Sequence, residues 1–174
     1  MSRNSAKKRG RFLCRPSSPR LDDALATHNG SPYGVAAIKL LVFTGARLAE
    51  ILGQRWAWID FDRGEARLPD STTGATTLHL PPPALAVLAE LPRLDGNPHV
   101  IAGVKEGAAL VNLEKPWRAI RVAAGLDDVR LHDLRHAFAS VAASSGMGLP
   151  IIGKMLATAS RRQPRVTRIS RAIR

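Results

Sequence analysis

Val42-Phe43-Thr44-Gly45-Ala46-Arg47-Leu48-Ala49-Glu50-Ile51-Leu52-Gly53-Gln54-Arg55-Trp56 is the stretch around which the chain is organised. An apolar run ends at Thr44-Gly45, and a second helical pattern begins at once. The pattern predicts Thr44 as N-cap, with Arg47 in the first turn of the new helix. A helix N-terminus offers unpaired N–H donors and the positive end of the helix dipole to an anion. An arginine there adds a planar fork matched to phosphate oxygens. Glu50, three residues on, is spaced to hold that guanidinium by an ion pair along the helix. Taken alone, the pair also reads as an ordinary salt bridge on a solvated face.

A second stretch changes the weighting: Leu131-His132-Asp133-Leu134-Arg135-His136-Ala137-Phe138-Ala139-Ser140. Leu134, Ala137, Phe138 and Val141 recur at helical spacing and make one apolar face. His132, Arg135, His136 and Ala139 fall on the opposite face. A proton carrier, a cation and a small residue side by side leave room for something to dock. Arginine clamps with an acid–base histidine suit phosphoryl transfer without a metal.

Together the two stretches resemble the tyrosine recombinases, the phage integrase family. The first matches the family's Thr-Gly-x-Arg-x-x-Glu with a downstream Trp, and the second its His-x-Leu-Arg-His at the start of a long helix. The resemblance covers about Ser31 to Leu156. It implies a mainly helical domain with a small antiparallel β-sheet (an α+β fold), and a reaction in which a tyrosine hydroxyl cuts one DNA strand and stores the bond energy in a phosphotyrosine link. By residue, it implies catalytic roles for Arg47, His132 and Arg135, with Glu50 and His136 as supporting residues. It implies double-stranded DNA as partner, a homo-oligomer on that DNA, no cofactor or metal, and a cytoplasmic, nucleoid-associated location.

Composition bounds the reading. The 174 residues suffice for one ordinary domain with a core. The single cysteine, Cys14, permits no intramolecular disulfide and fits a reducing compartment. No apolar run reaches transmembrane length and no signal peptide is visible. The net charge of +12 suggests nucleic acid, but it belongs to the tails. Seven Lys/Arg lie in 1–20 and six Arg in 161–174, without acids, so residues 21–160 carry a net charge of −1.

Residues 1–30 are read as a basic, disordered segment, with a short helix beginning at Leu21. Ser31 as cap and Pro32 at the first position open a largely buried helix through Phe43. Tyr33, the only tyrosine, is read as a packing residue. Beyond Trp56 the period becomes two. Ile59 and Phe61 alternate with Asp60 and Asp62, Arg63-Gly64 turns, and Ala66 and Leu68 return. Asp70–Ala75 makes a polar tip and Thr76–Leu80 a third strand. Short helices are expected over Ala84–Leu91, Leu113–Ala124 and Leu149–Leu156, and a short strand over His99–Ala102.

Three positions depart from the family. Its hairpin tip commonly reads Ser-Lys-Thr-Gly, where this chain has Ser71-Thr72-Thr73-Gly74, so Thr72 stands in place of a lysine. The family continues Gly-His and, nine residues later, the tyrosine; here Thr158 and Thr167 occupy those places. Threonine is a far weaker nucleophile than a phenol unless a dedicated base activates it. The chain as written is therefore expected not to cut DNA. One base added ahead of codon 157, with free third bases chosen to fit, turns residues 157–174 into Gly-His-Ser-Gln-Pro-Pro-Ala-Thr-Ala-Arg-Tyr-Ala-His-Leu-Ala-Arg-Asp-Pro. That is the family's pattern, and a frame slip there accounts for the Arg-rich tail. Three alternatives stand beside the recombinase reading. One is a DNA-binding remnant without chemistry, another an inert remnant folded poorly because its last helix is scrambled; the third is a zinc-dependent hydrolase using His132 and His136, with Asp133 as base.

Overall fold

The structure, a computed structural model, describes residues 19–71 and 74–145. Helix α1 (Pro19–Thr27) presents Leu21, Ala24 and Leu25 at helical spacing, and all three are buried in the core. Ordered structure thus begins upstream of Ser31, and even Arg20, read as part of the basic tail, is helical. A short amphipathic face outweighs the neighbouring charge when a partner is at hand, and α1 packs on α5 (Glu114–Ala123).

Helix α2 (Pro32–Thr44) is the central element. It is apolar nearly all round because it is covered nearly all round, with Ala36, Ala37, Ile38, Leu40 and Leu41 buried. Around it pack α3 (Leu48–Leu52), α4 (Pro82–Glu90), α5 and α6 (Leu131–Ser144). Pro32 takes the first helical position as expected, but the Ser31 hydroxyl makes no capping bond. The helix stops at Gly45, whose left-handed φ of 62° is costly for any residue with a Cβ.

After α3 a single 3-10 turn (Trp56–Trp58) leads into an antiparallel sheet of order β1-β2-β3: Ile59–Asp60, Glu65–Ser71 and Gly74–His79. Ala66 pairs with Leu78 and Leu68 with Thr76, and these residues form the buried face. The hairpin is found with shifted ends. Phe61 belongs to the 61–64 turn rather than to β1, because the Asp60 carboxylate accepts the Arg63 N–H and closes the turn early. β2 and β3 run further towards the tip than Leu68 and Thr76. His99–Ala102 is not a strand but a pair of isolated bridges, Arg55 with His99 and Ala102 with Ala109. In α5, Trp117 and Ile120 point inward and Gly125 follows with φ 67°. Residues 72–73 of the hairpin tip, the expected 149–156 helix and the 157–174 tail lie outside the described residues. Among the described residues, no helix is long and apolar enough to cross a membrane.

Candidate functional site

Residues 44–47 form a corner, not the N-terminal turn expected from the sequence. Thr44 is the last residue of α2: its hydroxyl donates to the Leu40 carbonyl at 2.7 Å and accepts the Ala46 N–H at 3.2 Å. Arg47, rather than Thr44, is the N-cap residue of α3, with extended backbone (φ −75°, ψ 147°). A Thr-Gly pair after an apolar run fits both a helix start and a helix end, and the left-handed glycine decides for the end. In the five-residue α3 the N-cap donor is taken within the chain: the Arg47 N–H donates to the Glu50 carboxylate at 2.9 Å.

The expected Arg47–Glu50 ion pair is present, Nη1 to Oε1 at 2.8 Å. Its two ends differ in environment: the Glu50 side chain is 6% exposed and that of Arg47 43%. A buried carboxylate thus carries a guanidinium whose far side reaches solvent. Arg135, five residues into α6, arrives at the same place from 90 residues away and donates Nη1 to the Gly45 carbonyl. Its guanidinium feels both neighbours. Burial lowers its pKa first, the positive charge of Arg47 lowers it further, and the Glu50 carboxylate opposes both. An arginine stays protonated under such pressure. Two cations therefore stand side by side over one carboxylate and one carbonyl, an arrangement that suits a bound oxyanion.

His132 is the second residue of α6 and lies exposed one turn from Arg135. Its ring meets that of His136 edge to face, centroids 4.8 Å apart. Asp133 caps α6 by accepting the Arg130 N–H at 2.9 Å, so the carboxylate that a zinc hydrolase would use as base is already engaged. Among the described residues no three His, Cys, Asp or Glu side chains gather into a metal-holding group. Thr72, Thr158 and Thr167 lie outside the described residues. Tyr33 donates its hydroxyl to the Pro92 carbonyl at 3.1 Å. It sits at the opposite end of α2 from the corner, roughly 17 Å away at a helical rise of 1.5 Å per residue. The structure thus joins Arg47, Glu50 and Arg135, and joins His132 to His136 on the helix that carries Arg135. Sequence reasoning missed the Gly45 carbonyl and the Thr44 hydroxyl; the available signal was glycine directly after a helical apolar run.

Residues 17–163 match the phage integrase family, and the chain belongs to it. Over 117 residues it is 30% identical to prophage integrase IntF of Escherichia coli K12, a match covering 64% of this chain and 25% of the relative. The fold is similar to that of the XerA recombinase (TM-score 0.67, 16% identity, 80% of this chain and 54% of that one). It is also similar to the integrase of mycobacterium phage Brujita (0.60, 22%, 82% and 48%). A third match is a lambda integrase dimer bound to a DNA core site (0.56, 18%, 79% and 54%). The chain spans about a quarter of the curated relative and about half of these solved chains. The mainly helical fold with its three-stranded sheet, and the family, are as the two sequence stretches implied.

Proposed function

We propose that this chain is the catalytic-domain portion of a site-specific DNA recombination protein that holds a backbone phosphate of duplex DNA between Arg47 and Arg135, with His132 beside them. The observation that carries the reading is the meeting of Arg47 and Glu50 with Arg135, which reaches the Gly45 carbonyl across 90 residues of sequence. Chemically, the pair neutralises charge on the phosphate, and His132 is placed one turn away to move a proton. The phage integrase relationship and the DNA-bound lambda integrase neighbour support DNA as partner. Strand cleavage is a separate matter. Threonines at 72 and 167 supply neither the leaving-group acid nor the nucleophile, and Tyr33 is engaged at the far end of α2. The chain as written binds DNA and leaves it uncut. Its recombinase unit ends near Leu156, and residues 157–174 are read out of frame.

The test is a labelled duplex titrated at several salt concentrations, followed by a denaturing gel. The expected result is salt-dependent binding with no covalent protein–DNA adduct. Absence of duplex binding at low salt would remove the DNA reading, and an adduct would remove the inactivity.

A further inference from the structure

The Gly45–Ala46 peptide has a partner on each side. Its N–H, on Ala46, donates to the Thr44 hydroxyl at 3.2 Å. Its carbonyl, on Gly45, accepts from Nη1 of Arg135. A trans peptide is planar, with N–H and C=O pointing in opposite directions, so fixing one end fixes the other. The Thr44 hydroxyl is itself held by the Leu40 carbonyl at 2.7 Å, and Thr44 is 4% exposed. Neither neighbouring N–H competes with that of Ala46 for the hydroxyl oxygen. The Gly45 N–H is committed to the Leu41 carbonyl at 3.0 Å and the Arg47 N–H to the Glu50 carboxylate. The left-handed turn at Gly45 is what swings the carbonyl towards α6.

We infer that Thr44 is a positioning residue for Arg135. Its hydroxyl sets the plane of the Gly45–Ala46 peptide, and that peptide's carbonyl aims the guanidinium at the anion site. The relay runs Leu40 carbonyl, Thr44 hydroxyl, Ala46 N–H, Gly45 carbonyl, Arg135 guanidinium. Hydrogen bonds in such a chain polarise one another, which strengthens the last. The same corner delivers Arg47 through Glu50. The corner and the first turn of α3 together orient both arginines, Arg47 through the Glu50 side chain and Arg135 through the Gly45 backbone. The inference rests on the proposed phosphate-binding role of the site.

The experiment compares the full chain with Thr44→Val, which keeps the shape and loses the hydroxyl, and with Thr44→Ser, which keeps the hydroxyl. Two readouts are taken, the nitrogen-15 NMR signals of the Arg135 side chain without ligand and the affinity for inorganic phosphate. The expected result is a slowly rotating, resolved Arg135 guanidinium in wild type and Ser variant, and an averaged one in the Val variant. Phosphate affinity should fall about tenfold in the Val variant and recover with Ser. In an Arg135→Ala background, Thr44→Val should change that affinity no further. An Arg135 signal equally resolved in the Val variant overturns the inference, as does a Ser variant that behaves like Val. Should wild type bind no phosphate, the site reading fails, while the NMR comparison still decides the relay. Should Thr44→Val not fold, Thr44→Ala takes its place. The wild-type scalar coupling between Arg135 nitrogen and Gly45 carbonyl carbon then gives an independent answer, its absence being the contrary result.

Discussion

Replacing Glu50 with Gln probes the electrostatic floor of the site. The carboxylate takes the Arg47 N–H at 2.9 Å and the Arg47 guanidinium at 2.8 Å while almost wholly buried. A glutamine has one acceptor oxygen, so its amide must face one of these donors with another donor. The loss is one charge-assisted bond to a backbone N–H at the helix cap, about 1–2 kcal/mol. To it is added the side-chain ion pair, worth no more than about 1 kcal/mol because the Arg47 end is 43% exposed and screened. The sum, about 2 kcal/mol, corresponds to a fall in Tm of roughly 4–8 °C for a chain of this size. The assay is urea and thermal unfolding of wild type, Glu50→Gln, Arg47→Ala and the double variant. The cycle should assign at most about 1 kcal/mol to the side-chain pair and the rest to the cap. A Gln variant as stable as wild type would refute the reasoning, as would a cycle that places the whole loss on the side-chain pair.

Three further outcomes are expected. Gln54 is fully buried, and neither polar atom of its amide has a hydrogen-bond partner among the described residues, so Gln54→Met should raise stability by about 1–2 kcal/mol; an unchanged or lower urea midpoint contradicts it. Gly45→Ala should cost about 1–2 kcal/mol by forcing a Cβ into the left-handed region, and thermal unfolding reads it directly. Burial, and then Arg55, hold the His99 imidazole below its ordinary value of 6.5. As pH falls below about 6.5 the unfolded chain takes up a proton there that the folded chain does not. This group thus leaves stability unchanged at higher pH and lowers it as pH drops through that window, until the folded imidazole titrates too. His99→Gln should flatten that part of the stability–pH curve; an identical slope would contradict the placement.

What the sequence made legible follows the range of the interactions. The Arg47–Glu50 pair was readable because a spacing of three is a local geometric fact. The inward positions Trp117 and Ile120, and the Arg63-Gly64 turn, were readable for the same reason. Thr44-Gly45 was misassigned because its residue types serve both helix ends, and only the backbone angle separates them. The short helix expected from Leu21 is present, but its start at Pro19 was obscured by the basic run beside it, since its packing partner α5 lies far along the chain. The bridges at His99 and Ala102 carry no periodic signal to read. The Arg135–Gly45 contact lay beyond any local pattern, and only the family resemblance brought the two stretches together.

The salt dependence of duplex DNA binding in Arg47→Ala, Arg135→Ala and the double variant tests most directly whether the two arginines share one phosphate. Each neutralised phosphate contributes about 0.9 to the slope of log affinity against log salt. Each single variant should lower the slope by up to that amount, and the double variant by the same total of about 0.9. A double variant that loses about twice as much would place the two guanidiniums on separate phosphates, and slopes unchanged throughout would remove them from the DNA contact altogether.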